Sequence, residues 1–404
     1  MGSSLFAGVS GLNASSKQMD VIGNNIANVN TVGYKSSKTY FGDILSQSMA
    51  GGGSQIGRGV SVNDVSTQFS LGSFETTANA TDLAIEGDGF FMVSDSDGGN
   101  YYTRAGAFNI DSTGYLVDVN GYKVQGYNLS GSDPNTITDI SLQNVQSAPE
   151  ATSMVSFGLN LDAEALVDST FNAAQTVYDS MGAAHTLETT FTKTALGWDF
   201  QTSLDGDETI IAQSVGSVTF DSDGVLATPA DADVTLTFAA PLDSGATIGD
   251  ELGVVTWDLT SDSAEAVTGY ASTSAVTSLT SDGFSSGILQ DLSVMQDGIL
   301  SGFFTNGQTA DVGQIVLANF ANSGGLKRSG NSLFAETNAS GSAIQNKPGA
   351  AGMGTINSNS LEMSNTDIAT EFVNMITAQR AYQANAKVIT TTDSMMSELM
   401  NIKR

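Results

Sequence analysis

The feature that most constrains this chain is the placement of its helical patterns, one at each end, with nothing comparable between them. From Ser3 to about Asn30, a 3-4 spacing selects Leu5, Val9, Leu12, Ser16, Met19, Gly23 and Ile26, of which five are apolar. From Leu361 the same spacing selects Leu361, Asn365, Ile368, Phe372, Met375, Gln379, Tyr382, Ala386, Ile389, Asp393, Met396 and Met400, of which nine are apolar. This spacing puts the selected residues on one side of a helix, and over several turns it makes a coiled-coil-like seam. Ser364 or Asn365 suits the start of the second helix. Asp367 and Glu371 fall at the positive end of its dipole, and Lys403 and Arg404 at the negative end. At 1.5 Å per residue, 364–402 would span roughly 58 Å. The first helix should stop within Asn28–Gly33, because Asn and Gly tolerate the left-handed conformation that ends helices.

Between the ends the pattern becomes that of strands and turns. Residues 33–72 lack sustained periodicity, most clearly from Gly51–Gly53 to about Leu71, and read as an extended connector. Short β segments then follow: Leu83-Ala84-Ile85, Phe90–Val93, and Ala107–Ile110 with Tyr115–Val117 around the turn Asp111–Gly114. The Thr/Ser/Val-rich block 151–284 is equally β-like, at Leu187–Thr192, Ser217–Phe220, Val234–Phe238 and Gly253–Leu259. Strands resume at Leu292–Val294, Leu300–Phe304 and Gln314–Phe320. The expected fold is a multidomain α+β chain, with coiled-coil-like terminal helices around nested all-β domains. Residues 1–32 with 361–404 form the helical part, and 73–150 with 285–360 an inner β domain. Residues 151–284 form an outer β domain. No obvious helix in the middle of the chain could cover the terminal apolar stripes, so other subunits are the expected cover, with an ordinary packed pair of the two terminal helices in one chain as the alternative.

Charge narrows the functions open to such a chain. With 14 basic and 43 acidic residues the formal charge is −29, which argues against binding a nucleic-acid backbone or an anionic lipid surface. The block 151–284 holds 20 acidic residues and one basic residue, Lys193. There is no cysteine, which removes disulfides, thiolate metal sites and cysteine nucleophiles. No apolar run is long enough to span a bilayer, so membrane insertion is not expected. The first twenty residues have neither the charged start nor the apolar core of a cleavable signal peptide.

Catalytic and cofactor readings find little support. The one histidine, His185, lies in Ala184-His185-Thr186-Leu187 and reads as the start of a strand rather than a catalytic base. No phosphate-binding glycine loop is present, since Gly87–Gly89 lacks the third glycine and the following helix. Asp95–Gly99 and Asp221–Gly224 resemble fragments of a calcium loop but supply only part of its ligand set, and Asp and Gly equally suit tight turns. The expectation is a non-enzyme with no cofactor and no metal.

Several long segments carry a family resemblance. Residues 24–35, NNIANVNTVGYK, resemble the N-terminal signature of the flagellar rod and hook axial proteins, and residues 371–396 resemble their terminal helix. FETTANATDLAIEGDGFFMV (74–93), residues 102–127 and residues 297–341 are similar to that family's shared β domain. These matches are spread over about two-thirds of the chain, the part outside 151–284. The large middle block, with YDSMGAAHTLETTFTK (178–193) and VTFDSDGVL (218–226), is more similar to hook subunits than to the shorter distal-rod subunits.

The resemblance implies a structural subunit of the flexible hook tube, which joins rod to filament outside the cell. It implies export through the flagellar type III apparatus, and contacts with copies of itself, with the rod, with a hook cap and with hook–filament junction proteins. A distal-rod subunit is the alternative within the family, and a secreted β-rich adhesin the alternative outside it. The residues expected at the subunit interface are Leu5, Val9, Leu12, Met19, Ile26, Ile368, Phe372, Met375, Tyr382, Ile389, Met396 and Met400.

Overall fold

A computed structural model describes residues 2–45, 57–129, 135–206, 211, 215–229, 233–238, 246–249, 254–259 and 266–402. The chain forms two compact units. One contains Met1–Asn144, Leu292–Gly302 and Ala310–Arg404, and the other contains Val145–Asp291 and Phe303–Thr309.

The first unit holds both terminal helices, α1 (Gly2–Ala27) and α2 (Ile368–Ile402). Helix α1 ends one residue before the Asn28–Gly33 segment. The chain then turns through successive backbone bonds, Thr31 N–H to Asn28 O at 3.1 Å and Tyr34 N–H to Thr31 O at 3.3 Å, and Gly33 takes the left-handed φ of 66°. Helix α2 starts later than its sequence pattern suggests, because Ser360–Glu362 is a strand paired with Phe74–Thr76. Its cap is Asp367, whose Oδ1 accepts from Thr370 N–H at 2.9 Å. Ser364 and Asn365 are engaged elsewhere: Ser364 donates to Thr366 Oγ1, and Asn365 binds the 68–70 backbone. Lys403 and Arg404 lie outside the described residues.

Of the expected connector 33–72, residues 46–56, with Gly51–Gly53, lie outside the described residues, and the described strands on either side pair with each other. Strands β1 (Ser37–Leu45) and β2 (Gly57–Thr67) form an antiparallel hairpin with irregularities after Tyr40 and Asp43. The β body of this unit surrounds an aromatic core in which Phe90, Tyr102, Phe320 and Phe334 are buried. Phe90 meets Phe334 edge-on at 5.9 Å, and Tyr102 meets Phe320 edge-on at 4.8 Å.

The second unit is built on two sheets with a common core. One is a meander of β3 (Thr170–Tyr178), β4 (Ala184–Lys193), β5 (Trp198–Leu204), β6 (Val215–Phe220) and β7 (Leu226–Thr228). The strict in–out alternation of β3, β4 and β5 places Leu187, Thr189 and Phe191 inward with Trp198, Phe200 and Leu204. The other sheet centres on Met154–Asn160, which runs parallel to Val254–Asp258 and antiparallel to Ala275–Ser281. Trp257 meets Phe157 at 4.9 Å and Phe200 at 5.0 Å, both edge-on.

Tight corners recur in both units. Asp95, Asp111, Asp118, Asp179 and Asp221 each accept through Oδ1 from the backbone N–H groups two and four residues on. Each is followed three residues later by a glycine at φ between 79° and 85°, where a side chain would be strained. The two calcium-like fragments are therefore turns whose first aspartate is directed at its own backbone.

Candidate functional site

The first unit brings together helices α1 and α2, and its candidate functional features lie along the helix pair and at its base. Helices α1 and α2 meet through small groups. A methyl group on Gly8 would come 3.0 Å from Ile389 Cγ1, and one on Gly11 would come 2.7 Å from Asn385 Nδ2. Gly8, Gly11, Ala14 and Ser15 are all buried. On α2 the least exposed positions repeat at the same 3-4 spacing: Glu371, Met375, Ala378, Tyr382, Asn385, Ile389 and Thr392. Each helix thus finds an intramolecular partner in the other, the plainer of the two readings open to their apolar stripes.

This inner seam lies one residue away from much of the apolar stripe read in the sequence. One residue turns a helix surface by about 100°. Leu5, Val9, Ile368, Phe372 and Met396 are consequently 39%, 42%, 45%, 50% and 49% exposed, and Met400 is 73% exposed. Leu12, Met19, Ile26, Met375, Tyr382 and Ile389 are partly buried. Phe6, Val373, Ile376 and Met395, absent from the expected interface set, are exposed as well. The strict 3-4 count missed them because it follows a single row, whereas an apolar face covers neighbouring rows. The spacing of Gly8, Gly11 and Ser15 was the available sign of a close helix contact.

At the base of the helices, three charged side chains are buried together. Lys35 Nζ lies 2.5 Å from Glu362 Oε1, and Arg104 Nη1 lies 3.5 Å from Glu362 Oε2. The Glu362 carboxylate also accepts Gly72 N–H at 2.9 Å, while its backbone carbonyl accepts Gly33 N–H at 2.7 Å. Lys35 donates further to Ser70 O, and Arg104 to Gly87 O. Burial pushes the Lys35 ammonium below its ordinary value, and Glu362 opposes that shift. Burial likewise lowers Arg104, against Glu362 and Asp88. Arg104 Nε is buried without a hydrogen-bond partner, and the guanidinium carbon stands 5.2 Å from the Phe90 ring centre.

Asparagines reinforce this junction. Asn25 on α1 donates to Glu371 Oε1 on α2 at 3.0 Å and to Ser37 O on β1 at 2.9 Å. Tyr34 donates to Asn24 Oδ1 at 2.7 Å. Asn365 Oδ1 accepts Ser36 N–H at 2.8 Å. The segment 24–35, the loop holding Arg104 and the strand before α2 therefore meet at one place. Lys35, Arg104 and Glu362 were not singled out in the sequence. Their visible signal was charge in a chain with only 14% charged residues.

Known proteins match this chain along nearly its whole length. Residues 5–35 match the flagella basal body rod protein family model, and 84–159 the flagellar hook protein FlgE/F/G D1 domain. Residues 144–284 match the flagellar basal body protein FlaE D2 domain, and 357–402 the flagellar basal body rod FlgEFG protein C-terminal model. The chain is 35% identical to the flagellar hook protein FlgE of Borreliella burgdorferi, with 99% of each chain covered. It is 34% identical to FlgE of Escherichia coli, with 98% of each covered. It is 29% identical to the flagellar basal-body rod protein FlgG of Bacillus subtilis, with 99% of each covered. With identity above 30% sustained from end to end, the chain belongs to the flagellar hook protein family.

Proposed function

We propose that this chain is the structural subunit of a bacterial flagellar hook, polymerising through its terminal helices into the flexible tube that transmits torque from rod to filament. The observation that carries this reading is the exposed apolar face of the helix pair. Phe6, Ile368, Phe372, Val373 and Ile376 are 45–69% exposed although their helices are already paired. Burying what remains exposed would contribute on the order of 1 kcal/mol per side chain. Repeated heterologous contacts that do not close into a ring generate a helical polymer. The interface is assigned to Leu5, Val9, Leu12, Met19, Ile26, Ile368, Phe372, Met375, Tyr382, Ile389, Met396 and Met400, with Phe6, Val373, Ile376 and Met395 added by their exposure.

In this reading the helices supply most of the cohesion, and residues 151–284 form an acidic outer domain that tunes curvature. Their excess of 20 acidic residues over one basic residue makes neighbouring copies repel over about 8–10 Å at physiological salt. Export through the type III apparatus, and contacts with rod, cap and junction proteins, follow from the same proposal. The role is mechanical rather than catalytic. Purified chain under polymerising conditions should give short curved tubes in electron micrographs. Replacing 151–284 by a short Gly/Ser linker should preserve polymerisation and change curvature. Persistent monodisperse particles from the intact chain would reject the polymer assignment. A folded linker variant unable to polymerise would reject the outer-domain assignment alone. Straight shafts located in the rod by immuno-electron microscopy would instead favour the rod reading suggested by the FlgG relative.

A further inference from the structure

The one histidine of the chain stands between two carboxylates in the second unit, at the end of the sheet where β3 turns into β4. Asp179 opens that turn and is 1% exposed. Its Oδ1 accepts Met181 N–H at 2.9 Å and Ala183 N–H at 2.7 Å, so the carboxylate is fixed. Its Oδ2 lies 3.4 Å from His185 Nε2. On the other side of the ring, His185 Nδ1 lies 2.7 Å from Asp205 Oδ2. Asp205 follows β5 and is itself fixed, since its Oδ1 accepts Thr186 N–H at 2.8 Å.

The proton count of this line is the informative quantity. A neutral imidazole carries one N–H, and an ionised carboxylate carries none. With one proton on the ring, one of the two His185–carboxylate contacts sets a nitrogen lone pair against a carboxylate oxygen, which is repulsive. Both contacts become hydrogen bonds only when the three groups hold two protons, wherever the second proton rests between Nε2 and Asp179. Among the described residues, the neighbours on the same face of the sheet are uncharged: Val177 on β3, Leu187 on β4 and Leu204 on β5. Glu188 points to the opposite face of β4, where Asn172 donates to it. Lys193 lies at the far end of β4, opposite Trp198. Thr247, which bonds to Ser180 in the turn, is uncharged.

We propose that Asp179, His185 and Asp205 form a proton-operated clasp that ties the β3–β4 turn to the end of β5. The clasp is closed on the acidic side of the imidazole range and weakened on the alkaline side. Loss of the second proton removes one bond and leaves a lone pair facing the buried Asp179 carboxylate. The unfolded chain has no such arrangement, so the clasp stabilises the second unit at low pH and the contribution fades as pH rises.

The test uses the intact chain and its two tryptophans, Trp198 and Trp257, both of which lie in this unit. Urea unfolding followed by tryptophan fluorescence is compared at about pH 5.5 and about pH 8.5, on either side of the ordinary imidazole range. The parent should unfold at lower urea at the higher pH, and His185→Gln should reduce that difference by about half or more. An independent reading needs only folded protein. Relative to their intrinsic exchange rates, the Met181 and Ala183 amides of the turn should lose hydrogen-exchange protection between about pH 5.5 and about pH 8.5 in the parent and not in His185→Gln. The same pH dependence in parent and His185→Gln would overturn the proposal. So would protection of the Met181 and Ala183 amides that is the same at both pH values.

Discussion

Replacing Glu362 with Gln removes the carboxylate that two buried cations share. In the folded chain Lys35 and Glu362 are fully buried, and Arg104 is 2% exposed. Breaking a buried pair by deleting one partner costs about 3–5 kcal/mol, because the remaining charge stays desolvated. Glu362→Gln leaves two such charges and belongs at the upper end of that range, a loss of roughly five thousandfold in the folding equilibrium. Lys35→Met should cost less, because Glu362 would keep Arg104 and the Gly72 N–H. Urea unfolding followed by circular dichroism senses both units, whereas tryptophan fluorescence senses only the second. The expected result is an early circular-dichroism transition and an unmoved fluorescence transition. The pH dependence adds a sign. Burial lowers Lys35, so between its folded value and the unfolded value of about 10.4 the unfolded state binds more protons, and stability rises with pH. With Glu362 gone nothing opposes that shift, and the alkaline recovery should be larger in Glu362→Gln than in the parent. A Glu362→Gln cost within about 1 kcal/mol of zero, or one no greater than that of Lys35→Met, would refute the view of Glu362 as a shared counter-charge.

Other perturbations separate assembly from folding. Phe372→Asp should block tube formation seen by electron microscopy while leaving the monomer's circular dichroism unchanged, because Phe372 is 50% exposed in the paired helices. Ile389→Asp should instead damage both, since Ile389 meets Gly8 of α1. Gly11→Leu should separate the helix pair, read as a loss of protection against amide hydrogen exchange in α1 and α2, with the β body unaffected. Asp367→Ala should cost about 1 kcal/mol through loss of the α2 cap, measurable as a lower midpoint in circular-dichroism unfolding.

The helices at both ends, and the strands around Asp111–Gly114, were legible because their periodicities are local. The hydrogen bonds that define them join residues a few positions apart. The hairpin of β1 and β2 was harder to see. Its strands expose Tyr40, Phe41, Ile44 and Val65 and carry two irregularities, so no clean alternation marks a buried face. The inner face of the helix pair was concealed for a different reason. Hydrophobicity ranks Phe372 above Ala378 and Leu5 above Gly8, yet the closest helix approach selects the smaller residue of each pair. The charged junction could not be read from any local pattern, because Lys35, Arg104 and Glu362 come from three distant segments. Asp367 replaced Ser364 and Asn365 at the helix start because pairing of Ser360–Glu362 with Phe74–Thr76 delays the helix, a constraint carried by the partner strand.

The helix pair also has a consequence for the timing of folding. Asn25 on α1 bonds Glu371 on α2 across 346 residues of sequence. Closing a loop of that length costs about 5 kcal/mol of chain entropy by the logarithmic estimate, a cost that falls on the last contacts of the chain to form. A chain emerging from its N-terminal end would present α1 long before α2 exists, with the Gly8 and Gly11 face open for the whole interval. Any product stopped short of residue 368 would carry an unpaired α1 beside a complete second unit. The seam between the two helices therefore closes only after the chain has been made past Glu371, later than every strand described above.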